Sequence, residues 1–275
     1  MAAIRLYWWS EIFIQKKQKE NYGDLLGKYL VEKISSKKVT WVRAQKFSIR
    51  NLFSPLYVTI GSVLAHINTY CTVWGSGINH KDESIASARF LSVRGPLSRK
   101  RILELGYECP EVYGDPALLL PLYYQPKVDK KYTLGIIPHI TDLEIAKKLY
   151  GQSKGVKIID FNTNDIEETT SEILNCEQVL SSSLHGIIVA HAYQIPAVQV
   201  KFSDNIYGDG VKYHDYLLSV GLNTYQPEFI KNEIGVNEAV TMIKNHESSL
   251  PSNQVIHNIQ QGLMAVCPFK TASDE

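Results

Sequence analysis

The stretch QVLSSSLHGIIVAHAYQIPAVQVK, residues 178–201, restricts the fold of this chain more than any other. Two apolar runs, Gln178–Leu180 and Ala197–Val200, flank a segment that predicts a helix beginning near Leu184. Ser181, Ser182 and Ser183 fill the first junction, where a hydroxyl can accept an orphan backbone N–H of the first helical turn. Strand, polar elbow, helix, strand is one unit of a parallel α/β sheet. In such sheets ligands lie outside the carboxyl ends of strands, and helix N-termini there attract anions. His185 is the titratable group at that elbow, which makes it the first candidate for chemistry on an anionic substrate. A capping or packing histidine is the plainer reading of the same residue.

The same alternation runs along most of the chain. Apolar segments at Ile4–Trp9, Val39–Val42, Leu56–Ile60, Thr72–Trp74 and Arg89–Val93 predict strands. Leu25, Leu26, Tyr29, Leu30 and Ile34 give a helical period entered through Asn21–Asp24, and Pro96 opens a helix that Gly106 closes. Residues 121–131, rich in Pro, Tyr and Lys, predict a connection between two halves. Beyond it, strands at Tyr132–Pro138 and Val156–Asp160 alternate with helices at Asp142–Tyr150 and Asp165–Cys176. A helix ending at Gly221 follows Lys212, and two more span Val236–Asn245 and Ser252–Ala265. The expected architecture is therefore α/β, with a first half over 1–125 and a second over 126–275.

A length of 275 residues with 44% hydrophobic content suffices for about two ordinary domains or one large one. A formal net charge of +1 gives no sign of nucleic-acid binding. Cys71, Cys109, Cys176 and Cys267 lack the spacing of a zinc site or a disulfide framework, so reduced thiols in a cytoplasmic protein are expected. The start of the chain lacks the features of a signal peptide, and no apolar run reaches transmembrane length. Lys16, Lys17 and Lys19 allow at most a peripheral membrane contact, a solvated charge run being the simpler reading.

Several predicted strands end in small or polar residues, which suits a cleft. Gly23 lets backbone approach a ligand closely, while Asp24 either caps its helix or binds a sugar hydroxyl. Gly75 and Gly77 bracket Ser76 after one strand, and Gly61-Ser62 follows another. Arg94 lies at a strand-to-helix junction, where a guanidinium can grip a carboxylate or phosphate. His139 ends the strand over Tyr132–Pro138 and would face the same edge as His185.

Taken in order, ENYGDLL, WGSG, VRGPLSRKRILELG with GDPALLLP, and SSSLHGIIVAHAYQIPAV resemble the polysaccharide pyruvyl transferases, nearest to the exopolysaccharide branch. The resemblance spans roughly residues 20–221. It implies two Rossmann-like domains facing across a cleft, similar to GT-B glycosyltransferases. It implies transfer of the enolpyruvyl unit of phosphoenolpyruvate onto two hydroxyls of one sugar, with no metal and no resident cofactor. Carried onto this chain, it makes His185 the general acid and Arg94 the holder of phosphate or carboxylate. Gly23, Asp24, Gly75, Ser76, Ser182 and Ser183 would bind substrate. The acceptor would be a saccharide in capsule or exopolysaccharide assembly, with lipid linkage left open.

One departure stands out. Other branches carry an arginine two residues before the histidine, where this chain has Ser183. Lys201 and Lys212 are the two candidates to replace that cation. A nucleotide-sugar glycosyltransferase and a non-catalytic glycan-binding protein of the same fold are the alternative readings.

Overall fold

The computed structural model describes residues 3–46 and 49–270. The first half runs β1 (Ile4–Tyr7), α1 (Glu11–Gln15), β2 (Glu20–Asn21), α2 (Tyr22–Ser35), β3 (Val39–Trp41), β4 (Leu56–Val58), β5 (Cys71–Trp74), β6 (Arg89–Ser92) and α3 (Pro96–Glu104). Five of these strands form a parallel sheet in the order β3-β1-β4-β5-β6. Leu6, Leu56, Val58 and Val73 have no exposed surface, as expected of a parallel sheet covered on both faces.

A 3₁₀ turn at Pro116–Leu119 runs into α4 (Leu120–Tyr123) and on to the second half. There follow β7 (Tyr132–Ile137), α5 (Leu143–Tyr150), β8 (Val156–Ile158), β9 (Asn162–Thr163), α6 (Ile166–Leu174), β10 (Cys176–Ser181), α7 (Leu184–Ala192), β11 (Ala197–Lys201), α8 (Val211–Ser219) and β12 (Glu228–Phe229). The second sheet is also parallel, ordered β12-β11-β10-β7-β8. Helices α9 (Val236–Asn245) and α10 (Asn253–Ala265) end the described chain.

The two sheets share buried packing. Leu26, Leu30 and Val31 of α2 belong to the same core cluster as Ile137, Val179, Ile188 and Leu217. Truncating Leu26, Leu30, Ile137, Ile188 or Leu217 to alanine would cost about 2–5 kcal/mol through lost transfer energy and the cavity left behind. Helix α10 returns to the first sheet, where the Trp74 indole N–H donates to the Leu263 carbonyl at 3.0 Å. Phe269 packs edge-on against Trp74 and Tyr57. β2 and β9, one from each half, pair antiparallel with Glu20 opposite Thr163.

Local structure departs from the sequence expectation around residues 8–20. The first strand stops at Tyr7, short of the expected Trp9, and Glu11–Gln15 folds as α1. Ser10 caps α1 by accepting from the Phe13 N–H at 2.9 Å. The buried Glu20 carboxylate then accepts from the Glu11 N–H at 2.7 Å and the Trp8 indole N–H at 3.4 Å. This carboxylate arrives from beyond the helix it supports, so local periodicity carries no trace of it. Among the described residues no helix is long and apolar enough to cross a membrane.

Candidate active site

A cleft of about 480 Å³ opens where the strands of both sheets end. Its wall takes Trp9 from beyond β1, Gly61 and Ser62 from beyond β4, and Asn79 from beyond β5. From the other sheet come His139 beyond β7, and Ser183 and His185 beyond β10. Asp24 of α2, Glu83 and Lys212 of α8 complete it. Parallel strands deliver their carboxyl ends to one edge, which is why residues so distant in sequence meet there.

His185 sits in the first turn of α7 and keeps only 8% of its surface. Its ring lies against the backbone of Gly23, where any Cβ would collide with Nδ1. Gly23 thus serves the site by being absent of side chain, while its N–H donates to the Asn21 cap at 2.9 Å. The other ring nitrogen, Nε2, points inward to within 3.6 Å of the Asp115 carboxylate.

Charge in the cleft is tuned by burial. The Asp24 carboxyl is pushed up to about 7 by desolvation, against the opposing pull of His185 and Lys212. Burial likewise raises Glu83 to about 7. Lys212 is pushed down to about 8 by burial and by the Arg94 charge, with Asp24 acting the other way. Its ammonium donates to the Tyr207 carbonyl at 3.1 Å. His139 falls to about 4 through burial and the Lys212 charge, so it is neutral at pH 7. Several groups poised near neutrality in one concave site is the pattern of acid–base chemistry.

The sequence reading of Arg94 requires correction. The side chain is fully buried and does not line the cleft. Its guanidinium meets Asp215 of α8 at 3.0 Å, and donates to the Ser62 hydroxyl and the Ile78 carbonyl, each at 2.7 Å. Gly77 is small because the guanidinium occupies the space of a Cβ. Arg94 therefore holds Ser62 and the Ile78 segment against the cleft rather than offering its own donors to a ligand.

Three other predicted ligand groups also sit behind the wall. The Ser182 hydroxyl donates to Asp142 at 2.7 Å, and Ser76 to the Gly61 carbonyl at 2.8 Å, both without exposed surface. Gly75 packs against Pro116 with a φ of +92°. Lys201 pairs with Asp204 in a neighbouring depression, which Lys212 also borders. Of the two lysines, Lys212 is the one in the His185 cleft.

Sequence reasoning passed over Glu83, Asn79 and Asp215 and gave Asp115 no role beyond its place in the GDPALLLP motif. Asp215 had one faint signal, an acidic residue within an otherwise amphipathic helix. Glu83 had none. The loop Asn205–Gly210 is tied across the cleft: Lys81 N–H donates to Asp209 at 2.9 Å and Tyr207 packs edge-on against His80.

Two parallel sheets, with a cleft at their strand ends lined by several titratable side chains, define an α/β protein. The family profile described as polysaccharide pyruvyl transferase matches residues 21–200, and the chain belongs to that family. It is also 28% identical over 266 residues to "Uncharacterized protein L143" of Acanthamoeba polyphaga mimivirus, covering 89% of this chain and 91% of that protein.

Proposed function

We propose that this protein is a ketal pyruvyltransferase, moving the enolpyruvyl unit of phosphoenolpyruvate onto two hydroxyls of one sugar in a capsular or exopolysaccharide. The observation that carries the reading is the meeting of His185, Asp24 and Lys212 in one cleft of a chain belonging to this family. The two halves, 1–125 and 126–275, would act as Rossmann-like domains facing across that cleft in the manner of GT-B enzymes. The site would work in the cytoplasm, with at most a peripheral membrane contact if the acceptor is lipid-linked.

Protonated His185 donates its proton to the methylene carbon of phosphoenolpyruvate, and the former π electrons form the new C–H bond. The adjacent carbon becomes oxocarbenium-like and takes the oxygen of the first sugar hydroxyl. Phosphate then leaves with its bonding electron pair, and the second hydroxyl oxygen closes the ketal. Of the two hydroxyl protons, one restores His185 and the other departs with phosphate. Asp24, held near neutrality, would take up the second of these protons and pass it to the departing phosphate. Lys212 supplies positive charge for the donor's phosphate or carboxylate. No resident cofactor is needed, because the donor carries its own activation.

The test is incubation with phosphoenolpyruvate and galactose- or mannose-terminated oligosaccharides. Phosphate release that requires acceptor, together with a ketal methyl signal in proton NMR, is expected. Absence of ketal with every acceptor, alongside thermal stabilisation by UDP or GDP but not by phosphoenolpyruvate, would instead indicate a glycosyltransferase.

A further inference from the structure

Asp115 opens the segment Asp115–Leu119 as the N-cap of its 3₁₀ turn, with one carboxylate oxygen accepting from the Ala117 N–H at 3.0 Å. Capping uses only that oxygen. The second, Oδ2, is buried without a hydrogen-bond partner. So is Nε2 of His185, 3.6 Å away. Two buried polar atoms with complementary chemistry face each other, and no third group satisfies either one. A buried orphan acceptor costs free energy unless it serves a partner, and an unpaired buried carboxylate costs more than a neutral group.

From this geometry we infer that Asp115 is the positioning residue for His185, fixing the proton on Nε2 and leaving Nδ1 as the atom that exchanges a proton with substrate. Nε2 has no exposed surface and faces Asp115, which leaves Nδ1, beside Gly23, as the ring nitrogen for a ligand. With an anionic carboxylate beside it, Nε2 carries hydrogen in both the neutral and the charged ring. The charged ring gives up its Nδ1 proton and relaxes to the Nε2–H form without rotating. A gap of 3.6 Å is longer than a hydrogen bond, and such catalytic contacts commonly shorten once the substrate is bound. The inference rests on His185 being the general acid, but the state of its ring can be read without turnover.

Nitrogen-15 NMR of histidine-labelled protein, free of substrate and at a pH where the ring is neutral, tests the pairing directly. The His185 signals, assigned by their loss in His185→Gln, should show a pyrrole-type Nε2 and a pyridine-type Nδ1. The reverse pattern overturns the inference. Asp115→Asn keeps the cap, since asparagine is as good an N-cap as aspartate. It also turns an N–H₂ donor toward Nε2, which should invert the tautomer. In that variant kcat for ketal formation should fall by about a hundredfold or more, with KM for phosphoenolpyruvate changed by less than about threefold. Near-normal kcat, or an unchanged tautomer in a folded variant, also overturns it. If wild-type protein shows the Nε2–H form yet makes no ketal, the pyruvyl reading fails and the pairing stands.

Discussion

Arg94 and Asp215 face each other at 3.0 Å with neither side chain exposed, the first from beyond β6 and the second from α8. The same carboxylate accepts from the Leu97 and Ser98 N–H groups at 2.9 and 3.0 Å and from the Ser98 hydroxyl at 2.6 Å. A residue of the second half thereby caps a helix of the first. One ion pair couples the two sheets, the start of α3 and, through Ser62, the wall of the cleft.

Breaking that pair should be a stability lesion before it is a catalytic one. Asp215→Ala leaves a buried guanidinium uncompensated and α3 uncapped, at a cost of about 3–5 kcal/mol. Chemical denaturation should show the loss for Asp215→Ala and Arg94→Ala alike. A raised KM for phosphoenolpyruvate in Arg94→Ala with an unmoved denaturation midpoint would restore the ligand-binding role read from the sequence.

Gly23→Ala separates helix propensity from site geometry. Alanine in α2 should stabilise the helix by up to about 1 kcal/mol if nothing else intervened. The new methyl instead collides with the His185 ring, and displacing a reacting group by about 1 Å costs on the order of a hundredfold in rate. Turnover should collapse while circular dichroism shows the fold retained. A more stable and fully active variant would refute the placement of the ring.

Lys212 sets a pH limit. Burial and the Arg94 charge bring it down to about 8, so it is charged below that pH and loses its charge as pH rises through it. Donor binding should therefore weaken above pH 8, seen as a falling kcat/KM for phosphoenolpyruvate. Lys212→Arg should carry the activity to higher pH, because a guanidinium keeps its charge. Lys212→Met should raise KM at every pH.

Asp24 should cost stability in the pH range where the site works. Its folded carboxyl lies at about 7, above the ordinary 3.8, so the folded state binds this proton more tightly than the unfolded state. The stabilisation from that proton is complete below about pH 4 and disappears as pH rises through about 7, a difference on the order of a few kcal/mol. Asp24→Asn should raise Tm at pH 8 and leave it nearly unchanged at pH 4. An equal shift at both pH values would show that the carboxyl is not desolvated.

The parallel α/β architecture was legible in residues 178–201 alone. Strand, serine elbow, helix and strand appear there as read, with β10 ending at Ser181 and α7 starting at Leu184. Period and capping are local properties, settled by neighbouring residues. The place of His185 at a helix start was legible as well, and it lines the cleft. Lys212 lines it too, but the sequence left Lys201 and Lys212 both as candidates.

Direction and partnership were not legible. Arg94 and Ser182 occupy junctions that look open in the sequence, yet both turn inward because a partner waits there, Asp215 and Asp142 respectively. Those partners lie 121 and 40 residues away along the chain. Asp115 caps its 3₁₀ turn. Its second oxygen meets His185 only because the 3₁₀ turn packs on α7 within one shared core. The sequence by itself determined which elements form and where their ends fall, through hydrogen bonding and apolar period within a few residues. The tertiary structure decided which side chain at each end faces solvent and which is buried against a partner, because burial depends on distant segments brought close by the packing of two sheets.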